Sequence, residues 1–192
     1  MSIKLKISNV KCSIIYSVPF HWKKDIKEKC QKNNIQYFES GNILSIAYKV
    51  KLCIIQKKIK SLNEVFFLHV NLTGIRDFQI LRQELQYIKI LLIPDNWEKV
   101  SFKIDNICSS LSFPSKIKLK KLSEIYLTAR YNIVRFPAVF IKSKFGTVVV
   151  FESGKVNILG CKTFSEIKIT WSQILPYLTH ASMSNPLKLM GS

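Results

Sequence analysis

Between residues 100 and 110 apolar and polar side chains alternate, the two-residue period of a strand with one buried face. The next stretch, 115–129, is basic and amphipathic. Its apolar residues Ile117, Leu119, Leu122, Ile125, Tyr126 and Leu127 fall at mixed helical spacings, which predicts one or two short helices. Three runs rich in Val, Ile and Phe follow at 138–142, 147–151 and 155–159 and predict strands, with Ser153-Gly154 as the turn between the last two. From 164 to 178, Phe164, Ile167, Trp171, Ile174, Leu175 and Leu178 recur at helical period and predict a closing helix.

The first half repeats this plan. Residues 3–17 predict a strand, 22–32 a basic helix, 42–50, 51–60 and 65–73 three strands, and 77–92 a closing helix, after which Pro94-Asp95-Asn96 breaks the chain. Short strings recur as well. Val70-Asn71-Leu72-Thr73-Gly74-Ile75-Arg76-Asp77-Phe78 returns as Val156-Asn157-Ile158-Leu159-Gly160-Cys161-Lys162-Thr163-Phe164, and Lys6-Ile7-Ser8-Asn9-Val10 returns as Lys103-Ile104-Asp105-Asn106-Ile107, both in the same order. The expected organisation is a repeat at 1–93, a linker at 94–99, a second repeat at 100–178 and a mobile extension at 179–192. Joined edge to edge, two such units make one long curved antiparallel sheet with helices on one face only, an α+β architecture.

Alternation along the strands then names the uncovered face. Asn9 and Lys11 point away from Val10 and Cys12, and Asn106 and Cys108 do the same in the second copy. Asn71 and Thr73, Asn157 and Leu159, and the apolar Val149, Phe151 and Phe136 join them by the same parity. Paired amides, aromatic rings and peripheral lysines suit base edges and phosphates.

The chain has 192 residues, 47% of them hydrophobic, enough for a packed core. A formal charge of +18 calls for an anionic partner, most simply nucleic acid. Only Arg76, Arg82, Arg130 and Arg135 among the 30 basic residues are arginines, and a chain rich in Lys, Ile and Asn is also what an A·T-rich genome encodes, so both readings of the charge stand. Five cysteines without a C-x-x-C pair fit a reducing compartment, with Cys12, Cys53 and Cys108 packing as small hydrophobes. The absence of a signal-like N-terminus or an 18-residue apolar stretch predicts a soluble intracellular protein. His21, His69 and His180 lack metal-ligand spacing, and the chain has no Gly-rich phosphate loop and no hydrolase motif, so neither catalysis nor a cofactor is expected.

Arg135-Phe136-Pro137-Ala138-Val139, Val150-Phe151-Glu152-Ser153-Gly154-Lys155-Val156 and Gly160-Cys161-Lys162 together resemble the second repeat of the TATA-binding protein family, and Phe102-Lys103-Ile104-Asp105-Asn106-Ile107 resembles the strand that opens it. The resemblance is specific over 101–178 and weaker over 4–92. It implies a pseudo-twofold saddle whose concave sheet sits on the minor groove of A·T-rich duplex DNA, with Phe136 and Phe151 as wedges that bend it; the family is the standard example of that device. It further implies Asn9 and Asn106 as central amides, Thr73 as a floor hydroxyl, and Lys142 and Lys155 near phosphates. With Lys11, Asn71, Pro137, Val149 and Asn157, these form the expected DNA surface. The implied partners are general transcription factors or an RNA polymerase complex, with no membrane and no small-molecule substrate, in the nucleus or, for a viral member, a cytoplasmic viral factory.

The departures from the family pattern are as specific. The wedge positions of the first copy align with Asn42 or Ile43 and with Gln56, which implies that one half kinks DNA and the other does not. Leu159 replaces a floor hydroxyl, and Lys11, Cys108, Asn71 and Asn157 replace small apolar residues. The loop Asn132-Ile133-Val134-Arg135 lacks the acidic residues that receive transcription factor IIB in the family. A protein-interaction scaffold without specific DNA binding is the alternative, and a single-strand platform is a third reading that only the second copy's aromatics support.

Overall fold

The computed structural model describes residues 5–19, 21–41, 43–47, 51–57 and 66–183. The chain divides into two compact units, Asn9–Asp105 and Met1–Ser8 with Asn106–Ser192. The division falls inside two strands and not in the expected linker at 94–99. There the Trp97 N–H donates to the Pro94 carbonyl at 3.1 Å, and Trp97 is buried 6.2 Å from the Tyr16 ring. A buried indole makes this segment part of the core.

The first-repeat unit is built from β1 (Lys6–Val18), α1 (Trp22–Lys32), β2 (Tyr37–Ser40), β3 (Ile43–Ala47), β4 (Lys51–Lys57), β5 (Phe66–Ile75) and α2 (Phe78–Leu91). Its strands lie in the order β2-β3-β4-β5-β1, all antiparallel. The second comprises β6 (Glu98–Ser112), α3 (Leu119–Ile125), β7 (Ala129–Tyr131), β8 (Ala138–Lys142), β9 (Thr147–Phe151), β10 (Lys155–Cys161) and α4 (Phe164–Ala181). Its order is β6-β10-β9-β8-β7.

Hydrophobic alternation accounts for both units. Val10, Cys12, Ile14, Tyr16 and Val18 of β1 face the same side as Leu68, Val70 and Leu72 of β5, and all are buried. Helix α2 covers that side through Leu81 and Ile88. In the second unit Ile107, Leu111, Val139, Ile141, Val148, Val150, Val156 and Ile158 form the matching layer beneath Ile167, Ile174 and Leu178 of α4. Each such side chain contributes about 1.5–3 kcal/mol on burial. Burial also pushes the Cys12 thiol up to about 12, with Asp105 adding to the rise, and the Cys30 thiol up to about 11. Both stay protonated and pack as apolar groups.

Matched caps start the two closing helices. Asp77 accepts from the Gln79 N–H at 2.6 Å, while Thr163 and Glu166 form a reciprocal capping box. Three boundaries differ from the sequence expectation. The edge strands β2 and β7 are three or four residues long, too short to register a period, and β7 takes Ala129, the last residue of the expected helical stretch, whose helix ends at Ile125. Helix α4 continues to Ala181, and Ser182 bridges Ile117 while the Met183 N–H donates to the Lys116 carbonyl at 2.9 Å, so 179–183 are anchored. The rest of the expected tail lies outside the described residues, as do the strand assignments at 42, 48–50, 58–60 and 65.

Candidate nucleic-acid interface

On the side of each sheet opposite its helices, the two units repeat one small device. The amide oxygen of Asn9 accepts from the Gly74 N–H at 2.8 Å, and that of Asn106 accepts from the Gly160 N–H at 2.8 Å. Both glycines sit at positive φ, +91° and +96°, where the strand pairing slips by a bulge. A backbone N–H can only donate, so each Asn must turn its oxygen to glycine and keep its NH2 as donor on the sheet face. The Asn9 amide lies 3.4 Å from the Thr73 hydroxyl, and the Asn106 NH2 lies 3.4 Å from the Cys108 sulfur. The recurring Gly in the repeated string carried the signal for this pairing, although its role was not foreseen.

The outer strands of the second unit hold the aromatic part. Val139 and Ile141 of β8 are buried among the helices, so Phe140 and Lys142 face the other way. Phe140 and the Phe136 ring lie 5.4 Å apart, and Phe136 meets Phe151 edge-on at 6.0 Å. Phe136 is 42% exposed and Phe140 38% exposed, so the cluster faces solvent rather than core. Phe136 is delivered by a tight turn in which the Asn132 side-chain oxygen accepts from the Val134 and Arg135 N–H groups, and the exposed Pro137 leads into β8. Phe140 was missed in the sequence, although the alternation of β8 encodes its direction as clearly as it does that of Lys142.

The remaining expected residues distribute around these groups. Asn157 is the strand partner of both Ser110 and Val149, and Val149, 5% exposed, packs beneath its neighbours on the open side. Lys142 and Lys155 are exposed at the rim, and Leu159 is exposed beside Asn157. In the first unit Lys11 is exposed, Asn71 and Thr73 are half-buried, and Asn71 pairs with Ser13. The open side of this unit is therefore largely polar along β1 and β5. Strand register also corrects the wedge alignment. Phe151 is the partner of Ala138, and its counterpart as partner of Ile43 is Ile55, whereas Gln56 pairs with the buried Leu68. Asn42 lies outside the described residues.

Both units thus present strands whose one face is buried under helices and whose other face carries an oriented amide and cations, and the second unit adds exposed rings. This defines the class: a two-repeat α+β sheet protein in which each unit leaves one sheet face uncovered by its helices. The model of the family described as "Transcription factor TFIID (or TATA-binding protein, TBP)" matches residues 101–181. The TATA-box-binding protein of Thermococcus sibiricus is 29% identical over 82 residues, which cover 42% of this chain and 44% of that protein, so the match spans less than half the length of that relative. Methanococcus jannaschii TBP superposes with a TM-score of 0.70 at 21% identity, covering 92% of this chain and 99% of that one, and shows that the fold is shared. The second repeat, residues 101–181, is thus similar in sequence to the TATA-binding protein family, and the chain shares the fold of a TATA-binding protein.

Proposed function

We propose that the protein is a TATA-binding-protein-like transcription initiation factor that binds A·T-rich duplex DNA in the minor groove through the open sheet faces. The observation that carries this reading is the oriented pair Asn9 and Asn106, each fixed as a donor by a glycine N–H. The minor groove of an A·T pair offers only acceptors, adenine N3 and thymine O2, so fixed donors match it. Phe136 and Phe151 then wedge into a base step and bend the duplex, with Phe140 beside them, while Lys142 and Lys155 neutralise phosphates. The bent complex recruits the transcription machinery, in the nucleus or, for a viral member, in a viral factory.

Fluorescence anisotropy with A·T-rich and G·C-rich duplexes tests the reading, together with end-to-end energy transfer on the bound DNA. The expected outcome is preference for A·T-rich DNA and a bend that Phe151→Ala reduces. Equal binding of both duplexes, or an unchanged bend in Phe151→Ala, would overturn the wedge mechanism. The scaffold alternative has its own signature, since lack of duplex binding even at low salt would favour a protein interface.

A further inference from the structure

The repeated strings place a second pair of amides on the open side, and these are held differently from Asn9 and Asn106. Asn71 lies between Val70 and Leu72, and Asn157 between Val156 and Ile158, all four buried on the helix side, so both amides point away from the helices. Strand register gives each the same neighbour. Asn71 is the partner of Ser13, and Asn157 is the partner of Ser110. Ser13 follows Asn9 in β1 by the same interval at which Ser110 follows Asn106 in β6, so the Asn–Ser pair recurs just as the Asn–Gly pair does.

The two devices differ in hydrogen bonding. The oxygens of Asn9 and Asn106 are taken by glycine N–H groups at 2.8 Å, which fixes their NH2 groups as the donors presented. The side chains of Asn71, Asn157 and Ser110 are half-buried and make no hydrogen bond among the described residues. The Ser13 hydroxyl, on a residue only 4% exposed, is buried without a partner as well. A buried polar group left unpaired is costly, so a repeated set of them on a recognition face points to hydrogen bonds completed when a ligand arrives.

A serine hydroxyl both donates and accepts, whereas a backbone N–H only donates. Opposite residues on paired strands have Cβ atoms about 4.5–5.5 Å apart, so serine can satisfy whichever end of the amide is turned to it. With the NH2 on serine, the amide oxygen is presented. With the oxygen on serine, the NH2 is presented. Asn71 and Asn157 are therefore switchable where Asn9 and Asn106 are fixed.

The minor groove turns that difference into sequence preference. An A·T pair offers acceptors alone, and a G·C pair adds the guanine N2 amino group as a donor. A fixed NH2 meets that amino group donor to donor, and an apolar side chain buries it without a partner. An amide that can turn its oxygen outward accepts from it.

We infer that Asn71 and Asn157, with Ser13 and Ser110 as positioning residues, are specificity determinants that admit a G·C pair at one position per unit within an otherwise A·T-rich site. This rests on the DNA-binding reading above. The fixed amides enforce A·T at their own positions, and the switchable ones relax it at theirs.

The test uses the full chain and a panel of A·T-rich duplexes, each carrying one G·C pair at a different position, with anisotropy competition for affinity. The wild type is expected to lose about tenfold at most positions, as one mismatched pair costs, and under about threefold at two of them. Asn71→Val should abolish the tolerance at one of the two and Asn157→Val at the other, with the fold kept because valine suits a strand. Replacing the tolerated guanine by inosine, which lacks the N2 amino group, should restore binding to each valine variant. Ser13→Ala should narrow the tolerance at the Asn71 position without lowering the thermal transition, because the hydroxyl it removes has no partner in the unbound protein. If a G·C pair costs the wild type the same at every position, or if both valine variants keep the wild-type profile, the inference is overturned, while a preference for A·T-rich over G·C-rich duplex leaves the DNA-binding reading standing. If the wild-type protein binds no duplex at low salt, both fall.

Discussion

Replacing Asn106 separates its structural task from its recognition task. Its oxygen accepts from the Gly160 N–H at 2.8 Å, and its NH2, which donates one hydrogen to the Cys108 sulfur at 3.4 Å, keeps the second for a ligand. In Asn106→Ala that N–H loses its partner, but Gly160 is exposed, so water replaces part of the bond. The expected loss is toward the low end of the usual net value, about 0.5–1 kcal/mol, and about 1–4 °C in Tm for a chain of this size. Asn106→Asp keeps an acceptor of the same shape for glycine and strengthens it by charge, so stability should stay within about 0.5 kcal/mol of wild type. The same change removes the donor and sets a negative charge against base acceptors and phosphates. Its affinity for A·T-rich duplex should fall at least about tenfold, more than in Asn106→Ala, since a missing donor is neutral and a carboxylate repels. Differential scanning calorimetry and anisotropy titration measure the two quantities. Wild-type affinity in Asn106→Asp, with the fold intact, would refute the idea that glycine orients the amide as a DNA donor.

Three further outcomes follow from the geometry. Lys142→Gln and Lys155→Gln should each lower the slope of log affinity against log salt by about 1 while leaving the A·T preference unchanged, measured by salt titration; a change in preference without a change in slope would contradict the phosphate role. Gly160→Ala forces a Cβ onto a residue at φ +96°, and chemical denaturation should show a loss of about 1–3 kcal/mol, whereas a neutral result would deny the bulge geometry. Glu39 is depressed from an ordinary 4.5 to about 2 by hydrogen bonds from Lys23 and Lys27, so its contribution is present above the ordinary value and lost as pH falls toward about 2. Hydrogen exchange in the β2–β3 hairpin should rise across that window in wild type, and Glu39→Gln should exchange faster at neutral pH with no further rise.

Much of the architecture was written in periodicity. Strands β8 and β9 and helix α1 fall where their patterns place them, because runs such as Thr147–Phe151 combine β-branched residues with turn signals, and Trp22, Ile26 and Cys30 recur at helical spacing. The repeated strings also placed Asn9 with Asn106 and Asn71 with Asn157 as counterparts, since the one requirement is that two halves share a register. Short edge strands could not be seen this way. Strand β2 owes its existence to pairing with β3 and to the bridges from α1 to Glu39, neither of which leaves a local pattern in Tyr37–Ser40.

What the sequence by itself determined is the plan of two repeats, the face that each strand buries and the residue types left on the other face, since side-chain alternation is a property of the chain alone. Only the tertiary structure decided how those residues are presented. The donor orientation of Asn9 and Asn106 depends on glycine N–H groups that are distant in sequence and brought beside them by strand pairing. The grouping of Phe136, Phe140 and Phe151 depends on the pairing of β8 with β9, which sets Ala138 opposite Phe151. Period tells which side a residue faces; register across strands tells what it meets there.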